Sequence, residues 1–205
     1  MVGVRRGRFI VLEGGEASGK TTQLQLLAER LRRSGREVVE TFEPGDTALG
    51  RELRKLVLET DDPIDRFAET LLLAADRVQH VAEVIRRAVN SGLDVVCDRY
   101  VPSSLVYQGW VRDVPIEFIE AVNQTVPEPD LVIVLDVPDR VAEARLGRPT
   151  DRMEREGEHF HNKVREGYRT LAKERGWVLV DASGAPDAVA DDVWTVVSEQ
   201  LGASP

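Results

Sequence analysis

Gly14-Gly15-Glu16-Ala17-Ser18-Gly19-Lys20-Thr21, followed by Thr22, carries the spacing G-x-x-x-x-G-K-T. With 16 Gly, four Lys and 18 Ser plus Thr in 205 residues, chance supplies only about 0.002 such matches in a chain of this length, so the stretch reads as a phosphate-cradling loop rather than a glycine-rich turn. Its flanks support that reading. Arg8-Phe9-Ile10-Val11-Leu12 is a short apolar run of the kind that forms a buried strand, and Leu24, Leu27, Ala28 and Leu31 recur at helical spacing from Thr21 to Arg33. The loop therefore joins a strand to a helix. Glycines let its backbone approach a phosphate closely, and the helix N-terminus turns free N–H groups and a partial positive charge toward the anion. In such a loop the backbone of Gly14, Gly15, Glu16, Ala17, Ser18, Gly19 and Thr22 surrounds the phosphates of a nucleotide. Lys20 reaches the β- and γ-phosphates, and the Thr21 hydroxyl binds Mg²⁺.

The chain as a whole fits one α/β domain over residues 1–205. Its 205 residues suffice for a full core, and 42% are apolar. A net charge of −9 argues against a nucleic-acid partner. Cys97 is the one cysteine, which predicts no internal disulfide and a reducing compartment; in an apolar strand its expected role is packing. No apolar h-region of signal-peptide length follows Arg5 and Arg6, and no run approaches membrane-spanning length. The expectation is a cytoplasmic protein with no membrane partner.

Strands alternate with helices, which predicts a parallel sheet covered on both faces, a three-layer α/β/α domain with five strands. The strands are expected at residues 8–13, 37–42, 93–98, 130–136 and 177–181. Helices are expected at 47–59, from Asp62 as N-cap and Pro63 in the first turn to 90 or 91, then at 116–126, 138–146, 160–175 and 185–201.

In such sheets ligands bind beyond the carboxyl ends of the strands. Those ends carry the phosphate loop, Phe42-Glu43-Pro44-Gly45-Asp46, Asp98-Arg99-Tyr100, Asp136, and Asp181-Ala182-Ser183-Gly184. Asp98 stands where a carboxylate holds Mg²⁺ through water, and Arg99 where it grips a second phosphate. Arg145, Arg148, Arg152 and Arg155 form another cluster, with 148, 152 and 155 on one helical face. Like charges cluster readily around anions, and phosphoryl transfer between polyphosphates needs such neutralisation. Asp151, Glu154 and Glu156 equally allow a solvated, paired face, and spacing alone leaves the two readings level. His80, His159 and His161 do not have metal-site spacing and are expected at the surface. No guanine-reading N-K-x-D is present; the nearest stretch, Asn162-Lys163-Val164-Arg165, lacks the aspartate.

From Phe9 to about Val196 the order of motifs resembles the thymidylate kinase family. The carriers are Phe9-Ile10-Val11-Leu12-Glu13-Gly14, the phosphate loop, Glu43-Pro44-Gly45, Ala75-Asp76-Arg77-Val78-Gln79-His80, Asp98-Arg99-Tyr100, Ser103-Ser104, Tyr107-Gln108-Gly109, Pro129-Asp130-Leu131, Asp151-Arg152 and Asp181-Ala182. The resemblance implies a P-loop kinase fold, transfer of the γ-phosphate of ATP to dTMP with Mg²⁺, and a homodimer. It implies that Glu16 lies near the acceptor's 3′-hydroxyl, that Arg77 reads the thymine edge, and that Arg99 binds the acceptor phosphate. Ser104 is implied at the base and Tyr107 beneath the sugar. Gln108 and Ser103 fall in the same pocket, with Phe42 and Pro44 at its rim. Residues from about 145 to 158 match the lid, where Arg145 would serve the ATP site. Because Ala17 and Ser18 fill the places where some members carry a loop arginine, Arg152 is implied as the catalytic arginine and Arg148 as the next candidate. Two departures stand out. Phe42 occupies a position that is arginine in many bacterial members, and Leu73 one that is often a thymine-stacking Phe, which removes aromatic stacking. A kinase for another nucleotide and a non-enzymatic P-loop ATPase are the rival readings; the second leaves Arg77, Tyr107 and the arginine cluster unexplained.

Overall fold

The computed structural model describes residues 6–60, 62–145, 152–153 and 155–202. Strands β1 (Phe9–Glu13), β2 (Val38–Phe42), β3 (Asp94–Asp98), β4 (Leu131–Asp136) and β5 (Val178–Asp181) form one parallel sheet in the order β2-β3-β1-β4-β5. The central strand β1 sets Ile10 opposite Val96 on one side and Leu131 on the other. Apolar residues on both faces of β1 and β4 make this placement favourable, since each strand feeds two cores. Phe9 and Val11 join Val95, Cys97, Val132 and Val134 in one core. Ile10 and Leu12 join Val96, Ile133 and Leu135 in the other.

The second core is closed by α1 (Lys20–Arg33), which contributes Leu24, Leu27 and Leu31, and by the C-terminal helix, Pro186–Leu201, which contributes Val189, Val193 and Val197. The first is closed by helices that also build the candidate site. These are α2 (Ala48–Arg54) running into a π-helical turn Lys55–Glu59, then α3 (Arg66–His80) running through a second π-turn, Val81–Ile85, into α4 (Arg86–Asn90). Next come α5 (Val101–Ser104), which continues as a π-helical segment Leu105–Val111, and α6 (Ile116–Asn123). After α7 (Asp139–Arg145), α8 (Glu158–Arg175) completes this face, and Pro186–Leu201 is α9.

The five strands and their parallel pairing match the expectation from sequence. The start of α3 does not. Asp62 and Pro63 precede the helix, and Asp65 is the N-cap, its carboxylate accepting from the N–H groups of Phe67 and Ala68 at 2.9 and 3.2 Å. Two histidines are also corrected. His80 is fully buried, bonded through Nδ1 to Glu43 Oε1 at 2.9 Å and through Nε2 to the Thr41 hydroxyl, and His161 is buried in α8. Only His159 is exposed. Among the described residues no helix is long and apolar enough to cross a membrane.

Candidate active site

The phosphate loop leaves the end of β1 at Gly14, whose φ of +143° admits no ordinary side chain. A Cβ there would lie 2.6 Å from the carbonyl oxygen of Leu135 at the end of β4, so only glycine lets the loop pass between the strand ends. Gly19, at φ +91°, is the N-cap of α1, and no side chain caps that helix. Its first-turn N–H groups are thus available to a phosphate. Lys20 begins the helix and is buried. Its ammonium donates to the carbonyls of Gly14 at 3.2 Å and Gly15 at 2.9 Å, which holds the charge inside the loop. Burial pushes the Lys20 pKa down, as does Arg99; Glu16, Asp98 and Glu13 oppose that shift.

Asp98 ends β3 beside the loop. Its Oδ2 accepts from the Thr21 hydroxyl at 3.1 Å, while Oδ1 is buried without a hydrogen-bond partner. An orphaned carboxylate oxygen facing a loop hydroxyl fits a divalent cation, which needs oxygen donors and takes the rest from phosphate and water. No cluster of three or more His, Cys, Asp or Glu suited to a metal occurs among the described residues. Thr21 and Asp98 are therefore the chain's candidate ligands.

Arg99 follows at φ +71°, a left-handed conformation that is rare for a residue with a long side chain and is tolerated where surroundings enforce it. The enforcing group is Glu13, fully buried at the end of β1. Its Oε1 accepts from the N–H groups of Tyr100 at 2.8 Å and Ser103 at 3.1 Å, and its Oε2 from the hydroxyls of Ser103 and Tyr168, both at 2.7 Å. Burial pushes the Glu13 pKa up, against Arg99 and these donors. The rings of Phe9 and Tyr100 meet edge-to-face at 4.9 Å, adding about 0.5–1.5 kcal/mol beyond simple burial and tying this corner to β1. Arg99 is thereby aimed at the loop. Its guanidinium pairs with Glu16, lies 3.3 Å from both the Gly14 carbonyl and the Tyr107 hydroxyl, and sits 5.2 Å over the Tyr107 ring. Burial alone would raise the Glu16 pKa, but Arg99, Lys20 and the Tyr107 hydroxyl hold it at about 2.

Two cavities meet at this pair. One, of about 500 Å³, is lined by Ala17, Gly19, Lys20, Thr21, Thr22, Phe42 and Asp98. The other, of about 200 Å³, is lined by Pro44, Val57, Leu58, Leu73, Asp76, Arg77, Ser103, Ser104, Tyr107, Gln108 and Met153. Glu16, Glu43, Arg54 and Arg99 line both. Deep in the smaller cavity, Arg77 spends four donors on Glu43 Oε2 at 2.7 Å, Asn123 Oδ1 at 2.8 Å, and the Tyr100 carbonyl and Ser104 hydroxyl at 3.2 Å. Of its five N–H groups, one Nη1–H makes no hydrogen bond among the described residues. A third cavity, of about 270 Å³, lies beyond the loop between Ser18, Gln23, Arg145 and Pro186. There Arg145 donates to the carbonyls of Ala182, Ser183 and Gly184, which holds its guanidinium as a flat platform.

The residues named from sequence thus come together, with three exceptions. Phe42, expected at the acceptor pocket with Pro44, lines only the phosphate-loop cavity. Arg148 lies outside the described residues. Arg152 is not brought to the phosphate loop: its guanidinium pairs with Glu69 of α3 and donates to the Val57 carbonyl at 3.0 Å, and it lines none of the three cavities. Arg54 was not visible in the sequence. It reaches back from α2 to donate to the Pro44 carbonyl at 2.8 Å beside Phe42, and supplies positive charge near the position where many bacterial members carry arginine. Glu13, Tyr168 and Glu69 were missed as well, each isolated in sequence from the residues it holds.

A phosphate loop, an acid at the adjoining strand end and a second, arginine-lined cavity sharing a wall with the first define a P-loop phosphotransferase with separate donor and acceptor sites. A family model for thymidylate kinase matches residues 12–193. Proteins similar over nearly their whole length include the thymidylate kinases of Halothermothrix orenii (43% identical over 197 residues, 92% of this chain and 95% of the relative), Pelotomaculum thermopropionicum (46% over 208 residues, 97% and 96%) and Synechococcus sp. strain JA-2-3B'a(2-13) (45% over 198 residues, 94% and 95%). The chain belongs to the thymidylate kinase family.

Proposed function

We propose that the protein moves the γ-phosphate of ATP to dTMP, giving ADP and dTDP, with Mg²⁺. The observation that carries this reading is the shared wall of the two cavities, where Arg99 stands within reach of a phosphate on either side. Donor phosphates occupy the loop, the adenine lies against the Arg145 platform, and the acceptor enters the smaller cavity with its base toward Arg77, Ser104 and Gln108. Thymine offers a carbonyl acceptor to the one free Nη1–H of Arg77. Leu73 covers the base with an aliphatic face. Arg99, assisted by Arg54, holds the acceptor phosphate, and Glu16 lies near the 3′-hydroxyl.

The incoming nucleophile is already an ionised phosphate oxygen, so the chain has no proton to remove. Its work is to bring the two anions together and offset their repulsion. Lys20 places a cation on the β–γ bridge side and Arg99 on the acceptor side. Arg148 is the lid arginine assigned to the transferring group. Thr21 and Asp98 would hold Mg²⁺, which neutralises charge on the β- and γ-oxygens when bound. The lid excludes water as a competing acceptor. We further read the whole chain as one kinase domain, acting in the cytoplasm as a homodimer. The exposed apolar residues Leu49, Leu56, Leu71 and Val78, spread over α2, its π-turn and α3, support the dimer.

Tyr107 makes the acceptor reading testable. Its ring is buried between Arg99, Phe160 and Tyr168, and its hydroxyl donates to Glu16 at 3.2 Å. A ribose 2′-hydroxyl packed on this ring loses water without gaining a partner, at a cost of about 1–3 kcal/mol, or roughly 5- to 150-fold in kcat/KM. In an ADP-release assay over a panel of nucleoside monophosphates, dTMP should be the best acceptor and clearly better than its ribose counterpart. Tyr107→Phe should keep most of that preference and Tyr107→Ala should erode it. An unchanged deoxyribose-to-ribose ratio in Tyr107→Ala would make Tyr107 a packing residue only, and turnover without an acceptor would favour an ATPase.

A further inference from the structure

Glu69 lies on α3, is fully buried, and belongs to neither the donor nor the acceptor cavity. A buried carboxylate persists only where donors compensate it. One donor is the guanidinium of Arg152, which pairs with Oε2; Arg112 adds positive charge, its Nε lying 3.4 Å from Oε1 without a hydrogen bond. The other donor is the side-chain amide of Gln108, whose Nε2 donates to Oε1 at 2.8 Å. Gln108 does line the acceptor cavity, and its Oε1 is buried with no hydrogen-bond partner.

These contacts fix a direction. A carboxylate beside two guanidinium groups only accepts, so the amide of Gln108 must turn its NH₂ to Glu69, which leaves its oxygen as an acceptor without a partner. We propose that Glu69 is a positioning residue for base selectivity, locking Gln108 as an acceptor so that the cavity takes a base with a ring N–H, such as thymine, and rejects one with a bare ring nitrogen, such as cytosine. Arg152 serves this device rather than the transferring phosphate. It anchors Glu69 while its backbone N–H, donating to the Leu58 carbonyl at 2.9 Å, seats the neighbouring Met153 on the cavity wall. The inference rests on the assignment of that cavity to dTMP.

In Glu69→Gln the neutral amide can donate or accept, so Gln108 is free to flip. The ratio of kcat/KM for dTMP over dCMP should then fall tenfold or more, chiefly through the KM for dTMP, while kcat with dTMP and KM for ATP stay within about twofold. A ratio held at the wild-type value, or an equal fall for both acceptors together with a lower Tm, would overturn the proposal and leave Glu69 a packing residue. A wild-type protein that does not prefer dTMP would instead overturn the underlying assignment of the cavity. A second measurement needs no variant. By ¹⁵N NMR of the wild-type protein, the Gln108 side-chain NH₂ should exchange slowly with solvent and stay in one orientation on adding dTMP; fast exchange would contradict the lock.

Discussion

Lys20→Ala should lower kcat by about 10³-fold or more while leaving the far-UV CD spectrum and the KM for dTMP near wild type. Lys20 is buried and held by the Gly14 and Gly15 carbonyls, so its ammonium is positioned before any phosphate arrives. The cost of ordering it is met by the fold, and its charge acts as negative charge shifts along the β–γ bridge. Burial and Arg99 push its pKa down, but the carboxylates of Glu16, Asp98 and Glu13 support the ammonium. Removing it deletes a fixed cation of the phosphate-loop cavity. Steady-state kinetics with a folding control measures this directly. A variant turning over within tenfold of wild type would remove the phosphate loop from the mechanism.

Arg99→Ala should be nearly as damaging and should differ in kind. Arg99 faces the acceptor, so both the KM for dTMP and kcat should suffer, with kcat/KM for dTMP down by about 10³-fold or more. Glu16 and Tyr107 lose their shared partner at the same time. Arg99→Lys should recover only part of the loss, because a lysine offers a point charge where the guanidinium reaches Gly14, Ser103, Tyr107 and Glu16 together. If either variant changed only the KM for ATP, Arg99 would belong to the donor site.

Local chemistry made much of this arrangement legible from sequence. The loop between β1 and α1 is set by glycines and a helix start that are neighbours in the chain, and β4 is a continuous apolar run that has no exposed alternative. What sequence left hidden depends on distant partners. Asp62-Pro63 is a plausible helix start, and Asp65 takes the role only because its carboxylate reaches two N–H groups of α3. The residues from Val101 to Val111 carry Pro102 and Gly109, which mask a helix that opens into π-form from Leu105, through Tyr107 and Gln108. A Cβ at Gly109 would lie 2.6 Å from the Cδ1 of Ile116, so any side chain there would push that tip aside. His80 looked like a surface residue because nothing near it in sequence shows the Glu43–Thr41 pocket that encloses it. Arg152 and Glu69 are likewise far apart in the chain, so the arginine cluster read as one unit although at least one member is committed to α3.

The central claim is that the shared wall between the cavities transfers phosphate from ATP to dTMP rather than to water. Incubating the protein with ATP labelled at the γ-phosphate, dTMP and Mg²⁺, and separating the products, tests it most directly. The account predicts label in the β-phosphate of dTDP, formed in equal amount to ADP, with little labelled orthophosphate. Label appearing as orthophosphate at the same rate with or without dTMP, or none appearing in dTDP, would contradict it.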